Sequence, residues 1–226
     1  MSRIARSRTV LTATLLAVAS ACGGARTTPA PTPAPAADQQ PLEHALSGLA
    51  ARHVVMLPLY IVRVAPELSW SAAVGNPTEV ARTLDADILA AFDEHGLRHT
   101  WIFPPDLMQS YRHNPTYATD PYALAEEPLR APTFRSEDHL PEPLASQLRT
   151  LIALHDDARM VLAPVELRLE PAGPKGGRGV LHLALIDARG DNVVWTGDVV
   201  SDTVPAFGPE ISASIASRLA NVVAIR

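Results

Sequence analysis

The sharpest chemical cluster in this 226-residue chain is His155-Asp156-Asp157, an imidazole followed directly by two carboxylates. Such a trio offers a general base with an orienting acid, or donors toward a metal ion, and so a metal-assisted hydrolase. The same run also reads as an ordinary helix terminus, where a histidine complements the helix dipole and acids fill the following turn. His182 or His139 would complete a metal set only if the fold carried one of them to that turn. His95 and His99 have the four-residue spacing of two ligands on one helical face, but Gly96 between them is expected to end the helix. The stretch Gly173-Pro174-Lys175-Gly176-Gly177-Arg178-Gly179 lacks the Gly-Lys-Ser/Thr ending of a phosphate loop. It falls between two strand-like runs, with no helix to receive a phosphate, so a hairpin loop is the expectation. There is no G-x-S-x-G elbow, and Cys22 is the one thiol. These patterns assign no catalytic residue, no metal and no cofactor.

The surroundings of Cys22 are more specific. Arg3, Arg6 and Arg8 precede an apolar stretch, 10–18, interrupted only by Thr12 and Thr14, and Ala19-Ser20-Ala21 supplies small residues for cleavage. Followed by Gly23-Gly24, this segment resembles a bacterial lipobox, with Ala19 where the pattern usually has Leu, Val or Ile. The resemblance implies a diacylglyceryl group on the Cys22 sulfur, cleavage before Cys22 and fatty acylation (palmitate) of the new amino terminus. A plain secretory signal with an incidental cysteine is the alternative. The apolar stretch is far shorter than the roughly 20 residues of a membrane span, so lipid is the expected anchor. Gly rather than Asp after Cys22 resembles the enterobacterial sorting signal for the outer membrane. The expected location is therefore the cell envelope, as an outer-membrane lipoprotein facing the periplasm.

Removing 1–21 takes three Arg and no acid, moving the formal charge from −5 to −8. That sign argues against nucleic acid or an anionic membrane surface as partner. One cysteine leaves no disulfide framework to read. The expected organisation is a signal peptide at 1–21, a lipidated Cys22 with a Pro/Ala/Thr-rich linker at 22–41, and a single α/β domain at 42–226. The linker carries Pro at 29, 31, 33, 35 and 41 and is expected to be an extended tether, reaching on the order of 50–60 Å.

Within the domain, a helix is expected at 42–52. The Val/Ile-rich run 53–64 reads as a buried strand, broken at Pro58. Asn76-Pro77-Thr78-Glu79 combines an N-cap, a first-position proline and a capping-box acid. Val80, Leu84, Ile88 and Phe92 then form one apolar stripe that Gly96 terminates. A strand follows at 97–103. Residues 104–141 carry seven prolines and three of the four tyrosines and show no clear period beyond a short helix at 106–111. A loop this long inside a domain is more often functional or disordered than merely connecting. A helix at 143–155, strands at 159–169, 179–187 and 192–201, and a last helix opened by Gly208-Pro209 complete the order. Gly190 is expected to take positive φ in the 188–191 turn. The fold class is α/β, a mixed sheet of about five strands with helices packed on it.

Three segments carry a family resemblance: Val54-Val55-Met56-Leu57-Pro58, Asp157-Ala158-Arg159-Met160-Val161-Leu162-Ala163, and Leu183-Ala184-Leu185-Ile186-Asp187-Ala188 leading into Val193-Val194-Trp195. They resemble a superfamily of envelope lipoprotein domains. Its members include the penicillin-binding-protein activators, the curli-secretion lipoprotein and the amino-terminal domain of the Tol-system propeller protein. The resemblance implies a non-enzymatic, lipid-anchored module that binds an envelope protein machine, and it carries over no catalytic residue. No spare pair of 9–11-residue alternating strands is present to build a barrel. Trp101 and Trp195 lie in strand patterns and are expected in the core. Trp70, between Ser69 and Ser71, is expected at the surface, and with Tyr111, Tyr117 and Tyr122 it makes the candidate partner-binding set. A periplasmic small-ligand receptor remains a further alternative, without a dedicated sequence feature.

Overall fold

The computed structural model describes residues 41–131, 134–155, 158–174 and 176–225. Among these residues six strands form one mixed sheet: β1 (Val54–Met56), β2 (Val62–Val64), β3 (Trp101–Ile102), β4 (Met160–Pro171), β5 (Gly177–Asp187) and β6 (Asn192–Val200). The order is β3-β1-β4-β5-β6, with β2 also paired to β4. β1 runs parallel to both β3 and β4, β2 runs parallel to β4, and β4, β5 and β6 form an antiparallel meander. The sixth strand arises because the expected 53–64 run divides around Pro58. Both halves stay on β4, one at each end.

The helices are α1 (Leu42–Leu46), α2 (Ser71–Val74), α3 (Pro77–Glu94), α4 (Pro104–His113), α5 (Leu144–Ala153) and α6 (Pro209–Ala224). They cover the sheet from both sides, over two cores. Leu46, Leu84, Ile88, Phe92, Ile215 and Leu219 close one core with Met56, Leu183 and Leu185 from the strands. Leu107, Leu144, Leu148 and Leu151 close the other with Val55, Val161 and Ile186. Alternate strand residues thus feed opposite cores, as the two-residue strand period requires. No helix among the described residues is long and apolar enough to cross a membrane.

α3 is capped at both ends by Asn76 and Gly96 as expected, but Glu79 meets the Asn76 side-chain amide instead of closing a capping box on its backbone N–H. Thr78 N donates to Asn76 Oδ1 at 3.0 Å, and Asn76 Nδ2 reaches Glu79 Oε1 at 3.4 Å. At the far end Gly96 takes φ 69°, Gly96 N donates to Asp93 O and Leu97 N to Phe92 O, both at 2.9 Å. This Schellman arrangement satisfies the last carbonyls and turns Leu97 into the core. α6 lies beside α3: Ser212 bonds Asp87, and His95 Nε2 lies 3.0 Å from Asn221 Oδ1. The two helices run in the same direction, and Gly179 lets α6 settle on the sheet. A Cβ there would stand 2.6 Å from Ile211.

Four local expectations are corrected. The helix at 42–52 is α1 followed by a 3-10 turn at Leu49–Ala51, because Gly48 takes φ 79° and breaks it. The strand at 97–103 shrinks to Trp101–Ile102, since Thr100 N and Trp101 N both fold back to Leu97 O at 3.1 Å. In the β5–β6 turn Asp191, not Gly190, takes positive φ, at 51°. The Asp187 carboxylate accepts from Arg189 N and Gly190 N, each at 3.1 Å, and so fixes the turn itself. Residues 104–141 hold more structure than the sequence showed. They form α4, a 3-10 turn at Glu127–Arg130, and a short run in which Glu137 N donates to Val193 O and Leu140 N to Asp191 O along the edge of β6.

Candidate functional site

The site is built where the chain leaves the sheet between β1 and β2. Met56 and Val62 are six residues apart, while their partners on β4, Leu162 and Leu167, are five apart. The surplus residue and the missing N–H of Pro58 force residues 58–60 off the ladder, while Leu57 N still donates to Leu162 O at 3.0 Å and Ile61 O still accepts from Leu167 N at 2.8 Å. The lifted backbone needs a hydrogen-bond acceptor, and α3 provides it: Leu59 N donates to Asp85 Oδ1 at 3.0 Å. Asp85 is only 8 % exposed, and its Oδ2 has no partner. Burial pushes the Asp85 carboxyl up to about 7, against the Leu59 amide and Arg82, which pull it down.

Residues 120–131 cross over this connector as a strap. Tyr60 is the fastening: its hydroxyl donates to Pro121 O and accepts from Leu124 N, the latter at 3.0 Å. Gln147 on α5 holds Ala125 N at 2.9 Å, and Leu124 and Leu129 dip into the second core. Between them sits Glu126, 1 % exposed, with neither carboxylate oxygen hydrogen-bonded. Burial drives its carboxyl well above the ordinary range, Arg130 opposes that, and the charge of Asp85 adds to it. Tyr122 closes the cluster with its ring 5.7 Å from the Arg82 guanidinium carbon. Burial, then Asp85, raise its phenol.

Beyond the strap, the same sheet face is polar. Arg63 pairs Glu166 at 2.6 Å, and Arg168 bridges Glu170 and Asp198, each at 3.1 Å. His182 Nδ1 lies 2.7 Å from Asp198. Burial pushes the Asp198 carboxyl up, but His182 and Arg168 outweigh it and hold the group below its ordinary value.

The candidate partner-binding residues separate. Trp70 is 8 % exposed, packed on Phe207 at a ring-centroid distance of 6.2 Å, so its expected place at the surface is corrected. Its seat is Gly177, more than a hundred residues away in sequence, where a Cβ would stand 2.5 Å from the indole. Tyr117 is 75 % exposed, whereas Tyr111 and Tyr122 are half-buried. No ring contact joins these three among the described residues. Trp101 and Trp195 are core residues, as expected.

His155 is half-buried just past α5, its amide donating to Ile152 O at 3.0 Å. Asp156, Asp157 and Cys22 lie outside the described residues. His182 pairs Asp198 about 16 Å along β5 from the end at which β4 begins, and His139 bridges to Asn192 on β6. No group of three or more His, Cys, Asp or Glu able to hold a metal occurs among the described residues. His95 packs on its own helix end, Nδ1 at 2.8 Å from Ala91 O. Lys175 of the glycine-rich run lies outside the described residues; Gly173, with φ 78°, and Gly177 to Gly179 lie at the β4–β5 hairpin.

Asp85, Glu126 and Tyr60 are the functional candidates that sequence reasoning missed. Asp85 had a signal: 81, 85, 88 and 92 fall on one buried helix face, so a carboxylate stands within the apolar stripe. Glu126 had none, because its segment has no period.

No protein-family model matches this chain, and no curated protein does. Solved structures show loose likenesses. The PelC dodecamer from Paraburkholderia phytofirmans superposes with a TM-score of 0.35 at 10% identity, over 77% of this chain and 89% of that one. A point variant of the same dodecamer gives 0.35 at 11%, over 76% and 88%. The LpoB C-terminal domain from Salmonella enterica gives 0.32 at 14%, over 67% and 82%.

Proposed function

We propose that this chain is a lipid-anchored, non-enzymatic binding module that docks on an envelope protein machine from the periplasmic side of the outer membrane. The observation that carries the reading is Tyr117. Its ring is presented at 75 % exposure within an excursion whose flanks are pinned in the core by Leu107 on one side and Leu124 and Leu129 on the other. A solvent-facing aromatic on an anchored frame loses little entropy on binding, which is the physics of a hot spot. Tyr111 and Tyr122 flank it in sequence and support the frame rather than the contact. The Cys22 segment supplies the anchor in this reading, and residues 23–41 the reach.

The test is in-envelope cross-linking of the full-length protein from a photoreactive group placed at Thr116, comparing the native chain with Tyr117→Ala. A defined envelope protein captured by the first and lost in the second is the expected result. Equal capture by both, or none by either, overturns the reading.

A further inference from the structure

We propose that Asp85 and Glu126 form a proton-dependent latch that holds the 120–131 strap against the β1–β2 connector, closed while both carboxyls carry protons and released when they ionise. This goes beyond the docking reading and does not depend on it. The geometry is two buried acids on two elements, Asp85 on α3 and Glu126 in the strap. Asp85 projects from α3 with one oxygen on Leu59 N and the other unpartnered, and Glu126 sits in the strap with both oxygens unpartnered. An ionised carboxylate without a partner is too costly to keep at such depth, so each stays neutral or finds water. Water reaches Glu126 only if the strap lifts. The groups facing the pair are Arg82 on α3, Tyr60 on the connector, and Asp120, Tyr122 and Arg130 on the strap itself. Arg82 lies over the Tyr122 ring, and neither Arg82 nor Arg130 forms an ion pair with the buried acids. The fastenings to be broken are few: two bonds at the Tyr60 hydroxyl and one at Gln147. Lifting would bare Leu124 and Leu129 and open the second core beneath them. The raised carboxyls agree in direction: burial pushes Asp85 up to about 7 and lifts Glu126 well above its ordinary value.

Hydrogen exchange of the full-length protein, read by mass spectrometry at pH 5.5 and 8.5 and corrected for intrinsic rates, tests the latch. Peptides covering 120–131 are expected to lose protection by about tenfold or more at the higher pH, while β4 and β5 peptides hold theirs. In an Asp85→Asn/Glu126→Gln double variant the ratio between the two pH values should fall to one. Unchanged strap protection in the native chain, or the native drop persisting in the variant, overturns the proposal. Should the double variant not fold, Glu126→Gln alone should shrink the pH-dependent loss without abolishing it, because Asp85 still titrates, and a loss as large as in the native chain overturns the proposal.

Discussion

Trp70 rests on Gly177, where a Cβ would come within 2.5 Å of the indole. A side chain from the segment before α2 therefore packs directly on the first residue of β5, and the strand needs a residue without a side chain there. The same ring meets Phe207 ahead of α6, so one indole ties the hairpin to two connections.

Gly177→Ala should accordingly displace Trp70 and destabilise the protein by about 1–3 kcal/mol through overpacking. Urea unfolding followed by far-UV circular dichroism measures it, and near-UV spectra should show the indole losing its fixed environment. A cost within about 0.5 kcal/mol, the ordinary range of surface substitutions, would mean that the ring is not seated there.

How far the sequence foretold this fold depends on the distance over which each choice is decided. The Asn76 cap, the stop at Gly96 and the stripe Leu84–Ile88–Phe92 are local and were legible. So was the break at Pro58, because a missing N–H acts wherever the strand lies. Trp70 was misread because its flanking serines are local while its seat at Gly177 comes from another strand. Asp85 was visible only as a carboxylate within an apolar stripe. Its reason for being there, the Leu59 amide, is 26 residues away. Glu126 left no trace, since burial in 120–131 comes from Tyr60 and Gln147 rather than from any period of its own.

Asp85 gives the stability a pH dependence of definite sign. Its carboxyl is raised from an ordinary value of 3.8 to about 7 in the folded chain. Between those values the folded state holds a proton that the unfolded state has lost, so stability falls as pH rises across that window and levels off above it. Asp85→Asn keeps an oxygen for Leu59 N and removes the titration. The variant should show a flatter stability profile from pH 4 to 7 and be more stable than the native chain at pH 7.5, by on the order of 1–3 kcal/mol. Denaturant midpoints across that range decide it, and parallel profiles for the two proteins would contradict the assignment.

Asp187 runs the opposite way. The Arg159 side chain holds its carboxyl below the ordinary range against a smaller push from burial, and the turn amides Gly190 N and Arg189 N pull in the same direction as Arg159. Its contribution is present above the unfolded value near 4 and is lost as pH falls through the depressed folded value. Asp187→Ala should cost about 1–3 kcal/mol at pH 7, because two turn amides and a guanidinium lose their acceptor. The deficit relative to the native protein should shrink toward pH 2. A deficit independent of pH would place the cost in packing instead.

In the proposed reading Cys22 is what holds the domain at a membrane. In the proposed reading the sulfur carries a diacylglyceryl group and the new amino terminus a third chain. Burial of several acyl chains, at about 0.8 kcal/mol per methylene, makes release negligible. Cys22→Ser leaves the apolar stretch and the small residues before it but removes the nucleophile to which, on this reading, the lipid is joined. The variant should therefore lose incorporation of labelled palmitate and either keep its uncleaved leader or leave the membrane fraction. Mass spectrometry of the native protein should show a chain starting at residue 22 with the added mass of the acyl groups. An unmodified thiol at Cys22 in membrane-extracted protein would remove the lipid anchor and return the segment to a plain secretory signal.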